Sequence, residues 1–255
     1  MWPDQSSIDS NDASVRAANI IAHSDVIDLM IENIAHIRTT LLTFEQRGAR
    51  LNNAEIWILK FLAHGFCSLK CSCDLIASGY YAQGLSLLRG VLEDWSVVTH
   101  LVHQPAMERM IEVAQWDRRF LVDLDKFLED AFKAGNLRSK LDNKAQQEGN
   151  QALHDLLDDI RNTVNALNAF THTSIAAVTF GCDETRIHVE GFISDGHFRY
   201  AAAQYLAVTY RFTESLLYLR EVFDEEWESQ TRSYLDRIWQ TFVVVSSAAT
   251  NSLMD

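Results

Sequence analysis

Apolar residues recur along most of this chain at spacings of three and four, the period of α-helices that bury one face. From Asp12 to about Gln46 the stripe is Val26, Met30, Ile34, Ile37 and Leu41, with a break expected at His23 or Ser24 and a stop at Gly48. The next helix is capped by Asn52 or Asn53, runs to about Ala77 and closes at Gly79, because glycine readily takes the left-handed conformation that ends helices. A third runs from about Tyr81 to Val102 and stops before Gln104-Pro105. Pro105 suits the first turn of a fourth, whose face includes Met107, Met110, Leu121, Leu124 and Leu128 and which ends at Gly135.

Residues 136–150 (NLRSKLDNKAQQEGN) are polar and weakly helical, which predicts a connection or a short exposed helix. Gln151 to about Val178 is strongly periodic, with Leu153, Leu157, Ile160, Val164 and Leu167 on one side. Residues 180–197 hold three glycines and the alternation Ile187, Val189, which predicts a short β-hairpin or loop excursion. Helix resumes from Phe198 to Phe223 and from about Glu226 to Ala249. The pattern predicts an all-α fold: a frayed tail over 1–11, then one helical bundle domain of six to eight helices over 12–255.

Composition agrees with the pattern. Ten Gly and two Pro in 255 residues leave few breakers for a turn-rich fold, and 47% hydrophobic residues can fill a core. A net charge of −13 argues against a broad basic footprint for nucleic acid, though not against a local basic groove. No basic start leads into an apolar run, and Phe242 to Val245 is too short to span a bilayer, so a cytoplasmic chain with no membrane partner is expected. Four cysteines, three of them clustered at Cys67, Cys71 and Cys73, do not make a disulfide framework.

Four groups of residues carry possible chemistry. His64, Cys67, Cys71 and Asp74 share one helical face, where imidazole and thiolates could hold zinc. Their spacing within one helix departs from the usual zinc pattern. Close packing against a small-residue ridge at Ala82, Ser86 and Gly90 is the expectation, with no metal and no cofactor. His100 and His103 also share a face, at a helix end that welcomes histidine for its dipole alone. Arg89 and Glu93 lie one turn apart among Leu85, Leu88, Leu92 and Trp95, so the guanidinium is expected to be partly buried and paired. Arg161, Asn165, Asn168 and His172 form a polar stripe flanking the apolar face of the 151–178 helix. No nucleotide-binding glycine loop, nucleophile elbow or metalloprotease motif occurs.

The run SGYYAQGLSLLRGVLEDWSVVTHLVHQP resembles uncharacterised bacterial all-α proteins of the HEPN-like kind, in which a glycine turn leads into a helix carrying Arg and Glu one turn apart. NAFTHTS (168–174) looks like the later Ser/Thr-flanked histidine of such proteins. The matching positions are Gly79, Arg89, Glu93 and His172, within about residues 55–220. The resemblance implies an all-α fold and a place among abortive-infection and toxin-type proteins, some of them ribonucleases with an Arg-x4–6-His pair on one helix. Here the sole match to that spacing, Arg16 to His23, falls outside the resembling run.

The expected function is accordingly a helical-bundle interaction module in bacterial stress or phage defence, forming a homodimer or larger and meeting RNA or another protein. The final helix, with Trp227, Tyr234, Ile238, Trp239 and Phe242, is the expected dimer face. One alternative is a metal-independent ribonuclease in which Arg89, Glu93 and His172, from different helices, are catalytic. A second is a zinc-binding protein using His64, Cys67 and Cys71.

Overall fold

The computed structural model describes residues 5–46, 53–103, 134–171, 180 and 191–252. Among them are eight α-helices and no strand: α1 Gln5–Ala22, α2 Ser24–Gln46, α3 Asn53–Ala77, α4 Tyr81–His103, α5 Ala134–Glu148, α6 Gln151–Thr171, α7 Asp195–Leu216 and α8 Glu225–Ser252. A 3-10 turn, Leu217–Val222, joins α7 to α8. The protein is an all-α bundle, as its periodicity predicts. The expected fourth helix and residues 181–190, where most of the expected hairpin falls, lie outside the described residues.

Helix α4 runs through the middle. Leu85, Leu88, Val91, Leu92, Trp95, Val98 and Leu101 are all at most 1% exposed, and Ser96, Thr99 and His100 are buried with them. A helix covered on nearly every side needs partners all round. Helix α3 lies along one side of α4, with α7, α6 and α5 around the rest, while α8 packs on α7 and α2 bridges α3, α7 and α8. Residues of α2 through α8 meet in one apolar core.

Local chemistry sets most helix ends. Gly79, at φ 82°, closes α3 as predicted, with Tyr80 N–H donating to the Leu75 carbonyl at 2.9 Å. Asn150 Oδ1 accepts from Leu153 N–H at the start of α6, and Asp224 Oδ1 from Trp227 N–H at the start of α8. Helix α7 starts at Asp195 rather than Phe198 because the Ser194 hydroxyl caps it, accepting from His197 N–H. The break at His23 separates α1 from α2. Helix α1 begins at Gln5, ahead of the expected Asp12, and polar contacts hold it down: Arg16 to Asp74 at 3.1 Å, Tyr80 to Asp12 at 2.8 Å and Asn19 to the Ala77 carbonyl at 3.0 Å. Residues 134–148 are a helix with a core face, since Leu137, Leu141 and Ala145 are fully buried. Its polar composition hid three apolar positions four apart.

The close crossing of α3 and α4 is not where the small-residue ridge pointed. A Cβ at Gly90 would meet nothing within 4 Å, whereas one at Gly84 would lie 2.6 Å from Ile76 and 3.2 Å from the Ser72 carbonyl. Ser72 is the buried small residue here, and its hydroxyl donates to the Gly84 carbonyl at 2.8 Å. A side chain added at Gly84, not at Gly90, would therefore overpack the crossing. Gly90 has only the helix-weakening freedom of glycine, so Gly90→Ala is expected to raise stability by about 0.5–1 kcal/mol. A lowered urea midpoint in that variant would contradict the open surroundings.

Candidate functional site

Helices α4, α5 and α6 bring one polar cluster together. Leucines on the buried side of α4 leave Arg89 and Glu93 at its flank, where Arg89 Nε donates to Glu93 Oε1 at 2.9 Å. Arg89 Nη1 reaches across to Thr171 Oγ1 on α6, at 3.2 Å. From α5, Arg138 Nη1 donates to Ser96 Oγ at 3.4 Å, and the Ser96 hydroxyl donates in turn to the Leu92 carbonyl. Burial holds the Arg138 guanidinium below its ordinary pKa, Glu93 counters it, and the charges of Arg161 and Arg89 add to the strain. Asn168 Oδ1, one turn before Thr171, is buried and has no hydrogen-bond partner.

Arg89 and Glu93 are thus paired as predicted. Their side chains are 30% and 43% exposed, so the pair borders the core rather than lying inside it. An exposed or half-exposed pair contributes under about 1 kcal/mol, so Arg89→Met is expected to cost little stability. The third expected catalytic residue, His172, lies outside the described residues, next to Thr171. In the α6 stripe, Asn165 is exposed and Arg161 pairs with Asp158 and Asp142, while Thr171, one turn beyond Asn168, accepts from Arg89 on α4.

The cysteine face resolves differently from both of its readings. Cys67 and Cys71 are exposed rather than buried as small hydrophobes; of the three described cysteines Cys73 is the buried one, and burial pushes its thiol up to about 12. Among the described residues no three His, Cys, Asp or Glu side chains converge where they could hold a metal ion. His64 turns instead to α4, its Nδ1 2.8 Å from Asp94 Oδ2. His100 is buried in the bundle, 1% exposed.

Two residues escaped the sequence reading. Arg138 sits in a stretch whose composition suggested a solvent-exposed connection. Asp94 had a usable signal: a carboxylate inside VLEDWSVV, on a helix buried all round, must reach a partner or the surface. Compared with protein-family models, curated proteins and solved structures, the chain matches none.

Proposed function

We propose that the chain is an interaction module of HEPN-like type, working as a cytoplasmic homodimer in bacterial stress or phage defence. Its cluster of Arg89, Glu93 and Arg138 takes an anionic group of its partner. The supporting observation is the meeting of guanidiniums from two helices around one half-exposed carboxylate. In a chain of net charge −13 this is a local site of the opposite sign. Planar guanidiniums match the geometry of phosphate and carboxylate oxygens. Among the described residues no helix is long and apolar enough to cross a membrane.

A single-stranded RNA labelled for fluorescence polarisation tests the phosphate form of this reading. Arg89→Met and Arg138→Met are each expected to weaken binding about tenfold and to flatten the salt dependence by about one charge, without loss of fold. RNA bound equally by the wild-type chain and both variants would overturn the assignment; no RNA binding at all would leave a carboxylate on a protein partner as the ligand. The ribonuclease reading has one observation in its favour, that Arg89 reaches the residue next to His172. It requires that His172→Ala abolish RNA cleavage.

The homodimer rests on α8, where Trp239, Val243 and Val244 are 51%, 46% and 67% exposed. Of the expected anchors Trp239 is among these and three others are not. Ile238 is fully buried, Trp227 stacks on Phe223 and donates to Thr40, and Tyr234 stacks on His36, so these serve the parent bundle.

A further inference from the structure

His64 stands on the outer face of α3, its side chain 73% exposed, while its partner Asp94 on α4 is 10% exposed. The carboxylate accepts a hydrogen bond, which makes Nδ1 the protonated nitrogen and leaves the Nε2 lone pair directed away from Asp94. The ring is therefore held in one tautomer and one orientation with its nucleophilic atom toward solvent. Gly65 keeps the space for this: a Cβ there would lie 3.3 Å from Asp94 Oδ2 and 2.7 Å from the Phe212 ring.

Four other described histidines lack this combination. His154 is held by Asp142 at 2.5 Å, yet its Nε2 faces Asp158 at 3.9 Å and its ring is 28% exposed. His36 gives Nε2 to Thr231, and His23 is 8% exposed and stacked on Phe198. His197 is walled by Phe180 and Phe192.

A general base works on a substrate held against it in a cleft, whereas a ring exposed to this degree stands out from the surface. What such a ring can do is accept a group from a donor that brings its own site. A phosphoryl group suits it, because the Nε2 lone pair can take it up and Asp94, already bonded to Nδ1, can balance the charge of the product imidazole.

We propose that His64 is a phosphoryl acceptor, modified at Nε2 by an acyl phosphate or phosphoramidate donor, with Asp94 as its positioning residue. The Nε2 lone pair attacks phosphorus and an N–P bond forms. The donor's P–O or P–N bond breaks, and its leaving group departs with the electron pair as a carboxylate or, once protonated, an amine. The ring, still carrying Nδ1–H, is cationic at this point and is balanced by Asp94 until that proton passes to solvent.

Incubation of the full chain with potassium phosphoramidate, followed by mass spectrometry under alkaline conditions, reads this directly. One acid-labile phosphoryl group is expected at His64, formed well ahead of any at His154, and lost in His64→Gln. Asp94→Asn is expected to slow the modification about tenfold or more while circular dichroism stays helical. Comparable labelling of several histidines, no labelling at His64, or an unchanged rate in folded Asp94→Asn would overturn the proposal. Should that variant not fold, the site preference of the wild-type chain decides. None of these results depends on the arginine cluster.

Discussion

Gly191→Ala is expected to remove about 3 kcal/mol of stability, the upper end of what overpacking a closed contact costs. A Cβ at this position would lie 2.0 Å from the Ser78 carbonyl oxygen and 3.2 Å from its carbon. The opposite strand of the contact is equally closed, because a Cβ at Gly79 would lie 2.5 Å from the Phe192 carbonyl oxygen and 2.6 Å from its nitrogen. Both obstructions are backbone, and a side chain cannot swing aside to relieve them. Here the α3–α4 turn meets the chain leading into α7, with Phe192 N–H directed at the Gly79 carbonyl at 3.4 Å. Asn11 of α1 donates to the Gly191 carbonyl, and Phe192 packs edge-on to Tyr81 and His197. Separating the backbones would therefore loosen α1 and the start of α7 together. Gly149 is the control: it has φ 64° but nothing within 4 Å of its missing Cβ. Gly149→Ala is expected to lose only the conformational term, about 1–2 kcal/mol. Urea unfolding of the two variants makes the comparison, and a loss under about 1 kcal/mol at Gly191 would mean the two segments part easily.

The helices were legible in the sequence because their signal is repeated every turn. The break at His23, the glycine end at Gly79 and the burial of Leu85, Leu88, Leu92 and Trp95 all follow from spacing and capping. The pairing of Arg89 with Glu93 was legible for the same reason, since both lie on one helix. Contacts between helices were not. Which glycine of α4 meets α3 depends on the rotation of α4 about its axis, and Gly84 and Gly90 look alike in a string of letters. Arg138 was hidden by the low hydrophobicity around it. The His64–Asp94 pair joins residues thirty apart in sequence, and no local spacing announces it. Cys67 and Cys71 show the opposite error: two residues usually buried lie here on the exposed face of a long helix.

Asp94 also sets the second large expected effect, a rise in stability at neutral pH when its charge is removed. Burial raises its pKa from 3.8 to about 6; the hydrogen bond and charge of His64 pull it back in part, and Glu93 adds to the rise. A carboxyl group with a higher pKa in the fold than in the unfolded chain binds its proton more tightly when folded. Between about pH 4 and pH 6 the native protein then holds the extra proton, so raising the pH through that window favours unfolding. The penalty is absent below about pH 4 and complete above about pH 6. At about 1.4 kcal/mol per tenfold in proton affinity it amounts to roughly 2–3 kcal/mol, with little solvent screening at 10% side-chain exposure. Asparagine keeps an oxygen to accept from His64 Nδ1–H but carries no charge to desolvate. Asp94→Asn should therefore gain about 2 kcal/mol at pH 7 and close to nothing at pH 4, measured as urea midpoints at both values. A loss of stability at pH 7 would show that the charge attraction to His64 outweighs desolvation. If the gain is found together with slowed phosphorylation of His64, the wild-type chain keeps a carboxylate that weakens its fold where it orients a surface imidazole. That is the stability–activity trade-off expected of a site held by function rather than by packing.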